Sequence, residues 1–193
     1  MSEFTFDEGK HEYRLDGAVL PSVSSILVAS GLLDTTWFTE EAASRGTRLH
    51  KVLASIDAKH PPEESTEGIE DRIDAWHRFK ADTNFVPIEI EKPKYHKLYK
   101  YAGTKDRSGI LGPNPKHRVL LDIKSGAFNP VAHPVQLAAY NLMEEVPAID
   151  LWVVELRADG SYRIHVTNPD SQEATRVFMA CLTMRAWRGR KGA

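Results

Sequence analysis

Residues 101–126 read YAGTKDRSGILGPNPKHRVLLDIKSG. The turn signal Leu111-Gly-Pro-Asn-Pro separates two runs that predict neighbouring strands of one hairpin. In the second run, 118–124, Val119, Leu121 and Ile123 share one face, so Asp122 and Lys124 share the other. A carboxylate and an ammonium side by side on a mostly apolar strand are costly to bury without a purpose. Asp106 precedes them on the neighbouring strand and can approach Asp122 across the ladder. Two carboxylates held together repel, and a divalent cation removes that repulsion. Hard oxygen ligands suit Mg²⁺ or Mn²⁺. Such an ion binds a phosphate oxygen and lowers the pKa of water from ~15.7 towards neutrality. Lys124 could orient that water or neutralise charge in the transition state. On spacing alone, the Asp-x-Lys pair could equally be a surface ion pair on an edge strand.

The flanking segments supply the company such a site needs. Residues 39–56 predict a long helix with Ala42, Gly46, Leu49, Val52, Leu53 and Ile56 at helical spacing. His50 lies one turn after Gly46, at the edge of that apolar stripe. By itself it reads as a hydrogen-bonded core histidine or as a metal ligand. Residues 131–145 return to helical spacing and place Gln136 and Tyr140 on one face.

Elsewhere the chain predicts an N-terminal hairpin, with turns at Gly9 and Asp16-Gly17, and a short helix from Ser22 to Gly31. Ile69, Ile73, Trp76 and Phe79 mark a second long helix. Strands follow at 85–91 and within 97–110, then a closing hairpin at 149–156 and 162–166. The last helix spans 170–187. The order predicts an α/β fold, a central mixed sheet flanked by helices. All 193 residues are expected to form one domain: residues 1–20 as hairpin, 21–82 as a helical part carrying His50, and 85–193 as sheet core.

A formal charge of −2 confines any nucleic-acid site to a local basic groove, because phosphate contacts supply much of DNA affinity. Lys92, Lys94, Lys97, Lys100, Lys105 and Arg107 cluster beside the proposed site and form that groove, or else a solvated hairpin. Arg185, Arg188, Arg190 and Lys191 are a second basic patch, or a helix end complementing its dipole. The single cysteine, Cys181, excludes an intramolecular disulfide and a thiolate cluster. It is expected to pack in a helix. The N-terminus lacks a signal peptide's apolar core and no run could span a membrane, so a soluble, cytoplasmic protein is expected.

Four motifs stand in order: Gly46-Thr-Arg-Leu-His50, Tyr101-Ala-Gly-Thr-Lys-Asp106, Asp122-Ile-Lys-Ser-Gly126 and Gln136-Leu-Ala-Ala-Tyr140. In that order and spacing the chain resembles the RecB-like, phage-associated exonuclease branch of the PD-(D/E)XK nucleases. Leu20-Pro-Ser-Val-Ser-Ser-Ile26 resembles the opening segment of phage-associated members. The resemblance implies a restriction-endonuclease-like core and Mg²⁺- or Mn²⁺-dependent hydrolysis of DNA phosphodiesters. It implies His50, Asp106, Asp122 and the Ile123 carbonyl as metal ligands, with Glu91 as a further acid and Glu89 in reserve, the two sharing strand parity. Lys124 becomes the catalytic lysine. Gln136 and Tyr140 steady the active site or contact the backbone of the DNA, and Lys105, Arg107, Ser125 and His133 are candidate DNA contacts. Lys105 stands where the superfamily name has proline. The iron–sulfur branch is excluded by the cysteine count.

The implied role is an exonuclease acting on linear DNA ends in phage or bacterial recombination and repair. A recombinase, single-strand-binding protein or helicase would be its partner, since no phosphate-binding loop is present for unwinding. An endonuclease on the same chemistry, or a DNA-binding assembly protein without catalysis, stays open. Trp76, Trp152 and Trp187 read as packing residues. Trp37, beside Phe38, reads as a hydrophobic staple or a wedge against DNA ends.

Overall fold

A computed structural model describes residues 3–36, 39–167 and 172–191. Trp37, Phe38 and Asp170 lie outside the described residues, so the staple and the exact start of the last helix go with them. Three short strands, β1 (Phe4–Asp7), β2 (Glu12–Leu15) and β3 (Ala18–Leu20), form an antiparallel sheet. Helix α1 (Val23–Ser30) starts at Ser22, whose side chain accepts from the Ser25 N–H, and stops at left-handed Gly31. Helix α2 (Glu40–Asp57) starts where Thr39 accepts from the Ala42 N–H, with Glu40 and Glu41 in its first turn. Helix α3 (Glu70–Thr83) ends at left-handed Asn84.

The remaining elements are β4 (Phe85–Tyr95), β5 (Ala102–Leu111), β6 (Arg118–Lys124), α4 (Ala132–Asn141), β7 (Asp150–Leu156), β8 (Tyr162–Thr167) and α5 (Gln172–Lys191). The five strands pair in the order β4-β5-β6-β7-β8. All neighbours are antiparallel except β6 and β7, which run parallel because α4 carries the chain across between them. Helices cover both faces. Leu49, Val52, Trp76 and Phe79 of α2 and α3 pack against Val119, Leu121, Ile123 and Val154. Ile26, Leu137 and Phe178 of α1, α4 and α5 pack against Leu120, Leu151 and Val153. The architecture is a mixed α/β fold consistent with a restriction-endonuclease-like core. Alternation on β6 therefore turns Asp122 towards the α4 layer while Ile123 anchors the strand in the α2–α3 layer.

Parity fails on the neighbouring hairpin. Lys105 and Arg107 are two residues apart, yet Lys105 bonds Glu144 just past α4 and Arg107 bonds Asp57 at the end of α2. Glu89 and Glu91 split in the same way: Glu89 pairs with Lys105, and Glu91 with Arg107. The break sits at Glu91, which lies between the paired residues Ile90 and Lys92, opposite Asp106, with φ of +43°. A non-glycine residue held there is strained, and such strain gathers at functional sites.

Three smaller expectations are corrected. Helix α4 ends at Asn141, short of residue 145. Trp187 is exposed, because the last turns of α5 run beyond the core. Arg188 donates to the Ala29 carbonyl at 2.7 Å, so it caps α1 and is not part of a free basic tail. Among the described residues no helix is long and apolar enough to cross a membrane.

Candidate active site

A cleft of about 1540 Å³ opens between the N-terminal sheet, α2, and the ends of β5 and β6. Phe6 and His11 line one side; Gly46 and His50 line another; Lys124 and Tyr140 lie in its wall. The N-terminal hairpin thus contributes to the cleft, docked through Tyr13, whose hydroxyl lies 2.9 Å from Thr104 Oγ1.

Three potential ligand atoms, from His50, Glu91 and Asp106, lie within 4.8 Å of one another. His50 reaches them because α2 packs its Leu49–Val52–Leu53 stripe on the sheet. Its Nδ1 stands 3.3 Å from Glu91 Oε1 and 3.5 Å from Asp106 Oδ1. Its Nε2 lies 3.1 Å from the Ile123 carbonyl oxygen. Asp106 Oδ2 accepts the Ile123 N–H at 2.6 Å, which fixes the carboxylate at the point where β5 and β6 diverge. Glu91 is held from the other side by Arg107, whose Nη1 donates to Glu91 Oε1 at 2.8 Å.

Asp122 and Lys124 complete the group. Lys124 Nζ donates to Asp122 Oδ1 at 3.0 Å and lies 2.9 Å from Oδ2, yet among the described residues no well-directed hydrogen bond reaches the buried Oδ2. Burial pushes the Asp122 and Asp106 carboxyls up, although Lys124 pulls both back. Burial would lower His50, but the Asp106 charge and the Glu91 hydrogen bond outweigh it and raise it to about 9. Burial likewise opposes the charge of Lys124, and Asp122 and Asp106 more than offset it, so Lys124 is raised. This charge balance fits a cation. One imidazole and several carboxylates, one with an oxygen short of a donor, form a hard donor set of the kind that takes Mg²⁺ or Mn²⁺. Metal uptake at His50 requires loss of its proton.

Helix α4 supplies the roof. Gln136 Nε2 donates to Tyr140 Oη at 3.2 Å, and burial with the Asp122 and Asp106 charges holds the Tyr140 hydroxyl in its protonated form. His133 Nδ1 accepts the Asn129 N–H, so the proton of the neutral ring is on Nε2. Burial and Lys124 lower this histidine to about 4. Ser125 follows Lys124 in the cleft wall.

Two of the expected DNA contacts are corrected. Lys105 is only 2% exposed and locked between Glu89 and Glu144; Arg107 is fully buried against Asp57 and Glu91. Neither can face a phosphate. Lys92 and Lys94 are also engaged, both by Glu89 and Lys94 by Glu144 as well. Four of the six cations of the 92–107 groove are therefore tied into ion pairs, while Lys97 and Lys100 are exposed and do not line the cleft. Glu89, the reserve acid, belongs to those pairs, away from His50.

Two features carry no sequence signal of their own. Asp57, fully buried at the end of α2, receives Trp76 Nε1, Lys80 Nζ and Arg107 Nε, and so supports Glu91 through Arg107. Arg45 and Arg72 come together from α2 and α3 beside Ser125. The only hint in the chain is that Arg45 precedes Gly46 on the helix of His50.

No protein-family model matches this chain, and no curated protein matches it. Solved structures do. SSO0001 is 20% identical with a TM-score of 0.43 over 76% of this chain, which spans 61% of SSO0001's length. An alkaline exonuclease of Laribacter hongkongensis, LHK-Exo, is 14% identical with a TM-score of 0.42, covering 85% of this chain and 91% of that one. Its complex with dAMP gives 14%, 0.45, 90% and 93%. Likeness at this level leaves function to the site's own chemistry.

Proposed function

We propose that the chain is a divalent-metal-dependent deoxyribonuclease that digests DNA from its ends, working as one domain in phage or bacterial recombination or repair. The observation that carries this reading is the convergence of His50, Glu91 and Asp106 beside Asp122 and Lys124 in an open cleft. His50, Glu91, Asp106, Asp122 and the Ile123 carbonyl would hold Mg²⁺ or Mn²⁺. Such an ion, when bound, polarises a phosphodiester and acidifies water.

The chain's own groups do the rest. Lys124, kept protonated by its carboxylate neighbours, donates to the attacking water or to a non-bridging phosphate oxygen as charge builds there. Asp122 holds that ammonium in place. Asp106, pinned by the Ile123 N–H, keeps β5 and β6 in register at the site. Tyr140, protonated and fixed by Gln136, and His133, with its proton on Nε2, are neutral donors to the DNA backbone from the α4 side.

The test is a gel assay on end-labelled linear and closed circular DNA in EDTA, Mg²⁺ and Mn²⁺. Metal-dependent loss of the linear form alone supports the exonuclease. Nicking of the circle reassigns the same chemistry to an endonuclease. Metal-independent binding with no cleavage of either form overturns the enzymatic reading.

A further inference from the structure

With Lys105 and Arg107 buried, a near-neutral nuclease still needs cationic groups for its substrate. Around the cleft they come from the helices. Arg45 of α2 lies in the cleft wall with Ser125, Gly126 and Ala127. Arg72 of α3 reaches the same turn, its Nε donating to the Ser125 carbonyl at 3.4 Å. Gly46 packs beside the same turn: a Cβ there would lie 3.6 Å from Ser125 Oγ, an ordinary contact. Arg48 stands one turn away and donates Nη2 to the Glu67 carbonyl at 2.9 Å.

These guanidiniums are poorly neutralised. Among the described residues, the buried Nε–H groups of Arg45 and Arg48 find no acceptor. The only ion-pair partner of Arg45 among the described residues is Glu41, 3.8 Å away and 91% exposed. Burial and the like charge of Arg45 lower Arg72, with Asp71 opposing. Glu64 on the far lip is occupied by Lys51. Clustered guanidiniums short of acceptors, beside an exposed glycine turn, match the tetrahedral oxygens of a phosphate.

We propose that Arg45 and Arg72 form a phosphate seat, gripping a strand phosphate next to the scissile one and registering the DNA against Lys124. This rests on the nuclease reading above. The seat is a binding site distinct from the carboxylate cluster.

The test is anisotropy of a fluorescein-labelled DNA duplex with metal-free protein in EDTA, across a salt series. Arg45→Ala/Arg72→Ala is expected to weaken binding ~10-fold or more and to flatten the log–log salt slope by roughly 0.9, the loss of the one phosphate they neutralise together. Lys116→Ala/Arg118→Ala removes the same charge from exposed positions at the opposite end of β6 and is expected to stay within about twofold, with the slope unchanged. Arg45→Lys/Arg72→Lys guards against misfolding: it keeps the slope while losing affinity with the bidentate fork. Equal behaviour of the two alanine pairs overturns the seat. Cleavage by wild type, measured separately in Mn²⁺, tells the two ideas apart. If wild type cleaves while the arginine variants bind normally, the seat fails and the nuclease stands. If binding depends on the arginines but nothing is cleaved, the nuclease fails and the seat stands.

Discussion

Gly103 lies against Tyr140 so closely that a Cβ at residue 103 would sit 2.7 Å from Tyr140 Cε1 and 3.3 Å from Val23 Cγ2. Strand β5 and helix α4 meet at this point without a side chain between them. The phenol is thereby placed above the diverging strands that carry Asp106 and Asp122. Gly103→Ala must push the ring aside. It is expected to cost about 1–3 kcal/mol of stability and to depress cleavage further than Tyr140→Phe, which keeps the ring in place. Thermal melts and cleavage rates of the two variants check this; wild-type behaviour of Gly103→Ala would contradict the contact.

Asp57 neutralises Arg107 in a pair with both side chains fully buried. Removing one partner strands the other charge. Asp57→Ala is expected to lose about 3–5 kcal/mol in urea unfolding. Arg107→Met, which leaves Asp57 with Lys80 and Trp76, is expected to lose less while weakening metal binding through the released Glu91. Equal stability of wild type and Asp57→Ala contradicts the buried pair.

His50 is raised from its ordinary 6.5 to about 9 in the folded protein. A raised pKa means the folded state holds the proton more tightly than the unfolded chain does. The resulting stability is full below about pH 6.5 and is lost as pH climbs through about 9. In EDTA the melting temperature of wild type relative to His50→Gln is expected to fall across that window. Metal affinity is expected to rise over the same window, because the cation competes with the proton. A pH-independent difference between wild type and His50→Gln would falsify this.

A divalent ion bound only by the folded state raises stability by mass action, about 2.7 kcal/mol at a hundredfold excess over Kd. Mn²⁺ is therefore expected to raise the melting temperature of wild type. Asp106→Asn is chosen because its amide oxygen can still accept the Ile123 N–H. It is expected to fold and to lose most of the Mn²⁺ shift; an undiminished shift would remove Asp106 from the ligand set.

Much of this was legible in the chain because it rests on short-range rules. Ser22 announces a helix start through its local side-chain cap and does cap it, while Thr39, read as the first residue of the long helix, stands just before it as its cap. The spacing of Asp122 and Lys124 fixes a shared face once the strand is recognised, and their side chains do meet. What escaped depends on departures from regularity or on contacts between distant segments. Lys105 and Arg107 read as members of one basic cluster, yet they go to opposite layers of the sheet, beside a left-handed residue at Glu91 that no local pattern announces. Arg45 and Arg72 lie on separate helices whose packing no local pattern encodes. Trp187 reads as core by its helical position, but α5 outruns the surface it packs on.

In the proposed nuclease, Lys124 works beside a metal-binding carboxylate cluster to hydrolyse DNA. The most direct measurement is cleavage of end-labelled linear DNA by purified wild type and Lys124→Ala, in Mn²⁺ and in EDTA, with melting curves recorded in parallel. Cleavage by wild type is expected only with metal, with a loss of at least ~10²-fold in a folded Lys124→Ala. Undiminished cleavage by Lys124→Ala, or cleavage by wild type in EDTA, would contradict it.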